Sequence, residues 1–219
     1  MIDIRKIKEP ANALSHMIGA VLSVLGLILL VYKGATRGSA RHVVAFAVYG
    51  GSLVLLYSAS TIYHSLRVSE RWTRILRKID HSMIYVLIAG SYTPLCLIAL
   101  QGAWRWGLIA GIWVLTTLGI VLKVLWLDAP RWLSTLLYLI MGWLAVIAFG
   151  PLARSITWTG VIWLLVGGIL YSVGAVIYGT KWPKISSKVF GFHEIFHLFV
   201  LGGSAVHFWV MARFVLPLM

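Results

Sequence analysis

The chain is poor in charged residues, above all in acidic ones, and it has almost no cysteine. Only 11% of its 219 residues are charged, and six Asp and Glu stand against 19 Lys and Arg. Cys96 is the only cysteine, which excludes a disulfide scaffold. A soluble domain is typically about 25% charged and about 45–50% apolar, whereas 60% of this chain is hydrophobic. These figures exclude a soluble globular domain, and they also exclude an intrinsically disordered chain.

What the sequence has instead is a series of long apolar runs. A helix needs about 20 apolar residues to cross the hydrocarbon core of a bilayer, and a span must be helical to satisfy its own backbone hydrogen bonds. We predict an all-α integral membrane protein, with a single seven-transmembrane helix bundle over residues 1–219. The predicted helices are 12–33, 42–65, 80–100, 104–126, 132–150, 156–179 and 190–213. The longest predicted connection is 66–79.

The Lys and Arg residues are distributed unevenly between the two sides of this predicted bundle. Thirteen lie on one side: Arg5, Lys6, Lys8, Arg67, Arg71, Arg74, Arg77, Lys78, Lys123, Arg131, Lys181, Lys184 and Lys188. Six lie on the other: Lys33, Arg37, Arg41, Arg105, Arg154 and Arg213. Because cytoplasmic loops carry the excess of Lys and Arg, we predict a cytoplasmic N-terminus and an outside C-terminus. The net charge of +13 then reflects topology and contact with anionic lipid, and we expect no nucleic-acid partner.

The last predicted helix contains the string HEIFH at residues 193–197. Side chains four residues apart lie on one helical face, so His193 and His197 can offer two imidazole nitrogens to one metal ion. The string matches the zinc motif H-E-x-x-H, in which the Glu is the general base. Its longer form is absent, because Val200 and Gly203 replace the expected Gly and third His.

The predicted topology brings further candidates to the same depth. Helix 2 ends at His64 with Ser60 one turn deeper, and helix 3 begins at Asp80, on the side where helix 7 starts. Three His and a water, with a carboxylate nearby, form a typical catalytic zinc site with an open position. Imidazole ligation also favours Zn²⁺ over Mg²⁺ or Ca²⁺. We therefore expect a zinc site made by His64, His193 and His197, with Asp80 beside it.

Each of these residues taken alone has a simpler interpretation. A His near a helix end often forms hydrogen bonds at the membrane interface, and His193 and His197 can extend toward the lipid headgroups. Asp80 can pair with Lys78 or cap its helix. The metal hypothesis depends on the joint placement of three His and one Asp on three helices.

Five more residues are candidates for a second layer around the metal. Glu9, Asn12 and His16 share one helical face, and they form either a polar helix start or a lid over the site. His81 is an interfacial residue or a member of the same layer. Glu194 lies about 100° around the helix from His193, so its role is left open between the metal, the bilayer boundary and another helix.

In these residues the sequence resembles the hemolysin III proteins, the bacterial branch of the progestin and adipoQ receptor (PAQR) family. The matching stretches are 12–19 (NALSHMIG), 58–66 (SASTIYHSL), 80–94 (DHSMIYVLIAGSYTP), 138–143 (YLIMGW) and 193–207, and the resemblance extends over essentially the whole chain. It implies seven helices with a cytoplasmic N-terminus in the bacterial inner membrane. It further implies zinc bound by His64, His193 and His197, with Asp80 reaching the metal through a water and Ser60 close by.

The resemblance leaves three functions open. The related alkaline ceramidases imply a zinc-dependent hydrolase of a lipid amide or ester, with Asp80 as general base and Ser60 orienting the reacting groups. The second function is non-enzymatic membrane homeostasis or sensing with a structural zinc. The third, less favoured, is a pore-forming hemolysin. In each case the expected partner is a membrane lipid, as substrate or ligand, and the oligomeric state is left open.

Overall fold

The computed structural model describes residues 7–185 and 190–218, and within these ranges it contains helices and no β-strand. The α-helices are α1 (Pro10–Arg37), α2 (Ala40–Ser65), α3 (Glu70–Pro94), α4 (Gly102–Leu125), α5 (Arg131–Trp143), α6 (Phe149–Thr180) and α7 (Phe192–Val210). Short π-helical turns (Leu95–Ala99 and Met211–Val215) follow α3 and α7, and 3-10 turns occupy Leu144–Ala148 and Leu216–Leu218. Arg5, Lys6 and Lys188, which entered the charge comparison, lie outside the described residues.

Within the described residues, six helical stretches are long and apolar enough to cross a membrane. They are Pro10–Arg37, Ala40–Ser65, Glu70–Ala99, Gly102–Leu125, Arg131–Thr180 and Phe192–Leu218. Large apolar side chains such as Leu22, Leu25 and Ile28 of α1 are exposed on the outside of the bundle. An exposed apolar surface of this extent is what a lipid-facing helix presents. The chain is therefore a multi-pass membrane protein, as predicted.

The stretch Arg131–Thr180 reverses its direction near its middle. Thr157 adopts a non-helical backbone with φ 64° and ψ 163°. On either side of it the two arms contact each other in antiparallel order. The indole N–H of Trp143 donates to the Ser172 hydroxyl at 2.9 Å, and Thr135 lies against Gly179, where an added Cβ would be 3.0 Å from the Thr135 hydroxyl. This reversal coincides with the predicted boundary at 150–156.

The predicted start of helix 3 at residue 80 is wrong. α3 begins at Glu70, so the long connection predicted for 66–79 shrinks to 66–69. The added turns are amphipathic: apolar residues such as Trp72 and Ile79 recur at helical spacing among basic residues. A search for long apolar runs misses such a segment, because its mean hydropathy is low even though its helical pattern is strong.

Close helix approaches fix the positions of the helices that carry the site. Gly119 of α4 lies against the ring of Tyr85, where an added Cβ would come within 2.4 Å. Gly203 of α7 lies against Tyr171 of α6 in the same way, at 2.8 Å. Small residues permit such contacts between membrane helices. α1 also contacts both α2 and α7, so the end of α2 meets the starts of α1 and α7. We call this the histidine end of the bundle.

Candidate metal centre

Three imidazoles from two helices meet at the histidine end. His64 lies in the last turn of α2, and His193 and His197 lie in the first turns of α7. One nitrogen from each ring lies within 4.8 Å of the others. The ring centroids of His193 and His197 are 4.7 Å apart, and that of His64 lies 5.2 Å and 4.9 Å from them. The structure thus brings the three predicted ligands together, and they could hold a metal ion.

The hydrogen bonding of these rings fits a bound metal ion. Nε2 of His64, Nε2 of His193 and Nδ1 of His197 are buried and have no hydrogen-bond partner among the described residues. Leaving buried polar atoms unpaired costs about 1–3 kcal/mol each. A metal ion ligated by neutral imidazoles would remove that cost without burying extra cationic side chains. An all-imidazole set also suits a transition metal better than Mg²⁺ or Ca²⁺.

Glu9 holds one of the three rings in place. Its carboxylate lies 2.6 Å from Nδ1 of His64, and its backbone N–H donates to the His64 carbonyl at 2.9 Å. Because an ionised carboxylate can only accept, Nδ1 carries the proton and Nε2 is left for a metal. The hydrogen bond from His64 lowers the pKa of the Glu9 carboxyl to about 2, against an opposing effect of burial. A carboxylate behind a ligand imidazole is the usual support of a metal-binding His.

Asn12 links this support to α7. Its side-chain N–H₂ group donates to Glu9 at 3.0 Å and to Glu194 at 2.8 Å. The other oxygen of Glu194 accepts the backbone N–H of Gly191 at 2.7 Å. Glu194 therefore caps the start of α7 and ties it to α1. Among the alternatives left open for Glu194, the structure shows the contact with another helix, because its carboxylate accepts from Asn12 of α1.

The other two second-layer candidates occupy different positions. His16 stacks on His197, with ring centroids 3.6 Å apart and planes inclined by 17°, and its edge faces Tyr57. It therefore covers one side of the histidine cluster. His81 lies on α3, and its Nε2 is 3.9 Å from the Asp80 carboxylate. That distance is too long for a hydrogen bond.

Asp80 and Ser60 line a cavity that begins at the histidine cluster. The Ser60 hydroxyl lies near the Asp80 carboxyl, which is also within electrostatic range of His64. Both residues border a cavity of about 130 Å³ together with His193 and His197. Elsewhere its wall is largely apolar and is formed by residues such as Leu87, Ile88, Trp143 and Val200.

The cavity extends along α7 as far as His207. His207 lies ten residues beyond His197, which corresponds to about 15 Å along a helix. Both of its ring nitrogens are buried and lack hydrogen-bond partners among the described residues. At that end a second, smaller cavity shares part of the same wall, including Trp143, Gly168 and His207. The cavity therefore joins the histidine end to the interior of the bundle.

Sequence analysis missed Tyr171 and Tyr178 on this wall and the neighbouring Tyr57. The Tyr57 hydroxyl donates to Ser204 at 2.7 Å, and the Tyr171 hydroxyl lies 2.8 Å from the same oxygen. Tyr178 of α6 lies beside the histidine cluster, with its ring centroid 5.9 Å from that of His193. Tyr171 and Tyr178 are seven residues apart and so share a helical face. That spacing was the available signal, but aromatic residues are common in membrane helices and this pair did not stand out.

Comparisons with known proteins agree with the resemblance noted in the sequence. The family model described as "Haemolysin-III related" matches residues 4–208. Hemolysin-3 of Bacillus cereus is 46% identical over 210 residues, covering 96% of this chain and 93% of that protein. The Hemolysin-3 homolog of Bacillus subtilis is 45% identical, covering 92% of each chain. The human monocyte to macrophage differentiation factor is 25% identical, covering 94% of this chain and 84% of its own. The chain belongs to the hemolysin III family.

Proposed function

We propose that the chain is a zinc-dependent hydrolase that cleaves an amide or ester bond of a membrane lipid. The observation that carries the proposal is the position of Asp80 and Ser60 in the wall of an apolar cavity, next to His193 and His197. An apolar cavity with a few convergent polar groups at one end suits a ligand with an apolar chain and a polar, reactive end. A lipid carbonyl at the histidine end, with its chain in the cavity, satisfies both requirements.

The residues of the chain divide the chemistry between them. When bound by His64, His193 and His197, zinc would polarise a carbonyl and lower the pKa of water. Asp80 would accept the proton that water loses as it attacks the carbonyl carbon, and would later donate it to the leaving group. Ser60 would orient the Asp80 carboxyl through its hydroxyl. The apolar wall would exclude bulk water, which strengthens each polar interaction inside.

The proposal includes a membrane topology. The reversal near Thr157 would divide Arg131–Thr180 into two spans, which gives seven in all. The excess of Lys and Arg at the histidine end would place that end in the cytoplasm of a bacterial cell. A lipid would then reach the metal centre from the inner leaflet.

Fatty-acid release by purified protein tests the enzyme proposal. The assay uses defined lipids, a ceramide for the amide and phosphatidylglycerol for the ester, with wild type, Asp80→Ala and Asp128→Ala. We expect zinc-dependent release from at least one lipid class. Loss of a general base at Asp80 should slow it by about 100-fold or more. Asp128 is an exposed acid that pairs with Arg77 at 3.7 Å and does not border the cavity, so its variant should match wild type. If neither lipid class gives zinc-dependent release, or if the two variants release fatty acid at equal rates, the proposal is contradicted.

The second candidate function is membrane homeostasis or sensing, with zinc in a structural role. The contacts Glu9–His64 and Asn12–Glu194 favour it, because they join α1, α2 and α7 around the same three histidines. In that case His64→Ala would unfold the protein, while Asp80→Ala would leave its cellular effect intact. Thermal stability and the cellular phenotype of both variants separate this function from hydrolysis.

The names of the bacterial relatives suggest haemolysis, and a pore is the less favoured alternative. Pores for ions or water are lined by charged or carbonyl groups. Among the described residues that border the cavity, Asp80 is the only Asp, Glu, Lys or Arg. Dye leakage from liposomes at low protein density would support a pore, and intact liposomes would exclude one.

A further inference from the structure

Three cations gather beside the metal centre, around His81 of α3. They are Arg77 of α3, Lys123 of α4 and Arg131 of α5, and we call them the basic cluster. All three lie within electrostatic range of the His81 ring. Arg77 and Lys123 are also within that range of each other. Arg131 lies over Tyr178, whose ring centroid is 6.2 Å from that of His81. Lys78, next to Arg77, donates to the carbonyl of Val124, next to Lys123, at 2.7 Å. Three helices therefore contribute cations to one region.

The basic cluster is more deeply buried than cations at a membrane surface usually are. Lys123 is only 3% exposed. Nη1 of Arg131 is buried and has no hydrogen-bond partner among the described residues. The Arg131 guanidinium lies over the ring of Tyr178, 5.3 Å from its centroid. An interfacial Lys or Arg normally extends its charged group into water or among the headgroups, and these two residues do not.

Acidic residues do not balance this charge. Arg77 pairs with Asp128 at 3.7 Å, but the Asp128 side chain is 71% exposed. The Asp80 carboxylate lies 3.9 Å from Nε2 of His81 and also interacts with Ser60 and His64, but among the described residues it forms no ion pair with the three cations. In the part of the chain that the structure describes, the cluster thus has one exposed carboxylate for three cations. Buried charge is costly unless it is paired, so an anion from outside the chain would stabilise this place.

Neutral donors stand next to the cations. Ser134 and Thr135 follow Arg131 by three and four residues and so lie on the same face of α5. They are 2% and 7% exposed, and neither hydroxyl has a partner among the described residues. They also lie close to the N-terminal end of α5, which begins at Arg131 and where the helix dipole favours an anion.

We propose that the basic cluster, with Ser134 and Thr135, binds a phosphate group. Guanidinium, ammonium and hydroxyl groups are all donors, and phosphate offers several strong acceptor oxygens with negative charge. The site lies at the end of the bundle, where a phospholipid headgroup would reach it, and free phosphate has the same chemistry. It adjoins the metal centre, because the Asp80 carboxylate lies 3.9 Å from Nε2 of His81, but its donors come from residues other than the three histidines, Asp80 and Ser60. The proposal holds whether or not the protein is a hydrolase.

Lipid retention by the purified full-length protein tests this proposal. Native mass spectrometry would compare phosphatidylglycerol with a neutral glucosyl diacylglycerol of the same acyl chains. Wild type should retain phosphatidylglycerol at least tenfold better. Lys123→Gln and Arg131→Gln should each weaken that retention about tenfold or more, since each removes a charge-assisted hydrogen bond. The matched control is Arg74→Gln, which removes an exposed cation from the same end of α3 and should change retention less than twofold.

A second arm identifies the source of the phosphate. Inorganic phosphate, against chloride at equal ionic strength, is added to delipidated protein in a thermal-shift assay. A shift in wild type that Lys123→Gln loses would assign the site to free phosphate, and a response to phosphatidylglycerol alone would assign it to a headgroup. If Arg131→Gln does not fold, Arg131→Lys keeps the charge but loses the planar fork, and it should retain less phosphatidylglycerol than wild type. Equal retention of the two lipids by wild type together with no response to phosphate, or an equal loss in Arg74→Gln, would overturn the proposal.

Discussion

His197 and His207 lie on the same helix and border the same cavity, yet their surroundings are opposite. Both have ring nitrogens that are buried and unpartnered among the described residues. His197 has three other imidazoles within 5 Å of its ring centre, those of His16, His64 and His193. The ring of His207 contacts that of Tyr171, with centroids 5.2 Å apart, and the edge of the His207 ring packs on Gly167. Metal binding is therefore decided by the groups that the fold brings to an imidazole, and burial of the imidazole is not enough.

The same contrast separates the two ends of the cavity. The end at His197 holds Ser60 and Asp80, the groups that proton transfer and hydrogen bonding require. The end at His207 is bordered mainly by apolar residues, with Ser91 and Tyr92 among them, and by Gly168, which leaves open space. We infer a reacting end and a chain-holding end, joined over about 15 Å of helix. The three predictions below test whether the two ends are separable.

Metal removal should give the largest difference between the His197 end and the His207 end of the cavity. A chelator should lower the melting temperature of wild type and of His207→Ala by about 5–10 °C, because a ligand at 100 times its Kd adds about 2.7 kcal/mol. It should leave the melting temperature of His193→Ala unchanged, since that variant has lost a ligand already. Differential scanning fluorimetry in detergent measures all three. An equal response of His193→Ala and His207→Ala would show that the two ends do not differ in metal binding.

Removing the carboxylate that lies behind His64 should have a smaller effect, a weaker metal affinity, and this effect should be confined to the metal end of the cavity. Glu9→Gln replaces an ionised acceptor 2.6 Å from Nδ1 of His64, and it should weaken metal affinity about 10–100-fold. Competition with a chromogenic zinc chelator gives the affinity. Glu70→Gln is the control, because it removes an exposed acid at the start of α3. If Glu9→Gln binds zinc as tightly as Glu70→Gln does, the carboxylate does not support the ligand.

Filling the chain-holding end should have the smallest effect, and it should spare the metal. An added Cβ at Gly168 meets no atom within 4 Å, so Gly168→Leu should occupy the cavity without distorting the backbone. Displacing two methylenes of a lipid chain, at about 0.8 kcal/mol each, should lower kcat/KM for long-chain lipids about tenfold.

Two controls accompany this variant. Short-chain lipids should be cleaved by Gly168→Leu as by wild type, and its zinc content should be unchanged. Gly111→Leu also adds a side chain in open space, but away from the cavity wall, and it should keep the wild-type chain preference. The same loss for short and long chains would mean that the cavity does not hold the chain.

Much of the candidate site was accessible to sequence reasoning. Except at the start of α3, long apolar runs predict most helix ends to within a few residues, and the i, i+4 spacing puts His193 and His197 on one face. The charge distribution then predicted that His64 lies at the same level. These signals are local or periodic, so they survive without knowledge of side-chain packing. The structure brings the three rings together as that reasoning expected.

Other features depend on packing between distant segments, and sequence reasoning could not predict them. The direction of Glu194 is set by Asn12, which is 182 residues away along the chain. The helical turns of α3 before Asp80 are amphipathic, and they do not register as an apolar run. Lys123 was counted as a topological charge, although a cation inside a predicted span is itself a signal of function. Its burial beside Arg131 became visible only when α4 and α5 were placed together.

Metal analysis of purified protein tests the central claim most directly. Wild type, His193→Ala and His207→Ala are expressed with zinc, purified in detergent and measured by inductively coupled plasma mass spectrometry. The account predicts about one zinc ion per chain in wild type and in His207→Ala, because three imidazoles hold a single ion. It predicts less than about a tenth of that in His193→Ala. Zinc-free wild type, or equal zinc in His193→Ala and wild type, would contradict it.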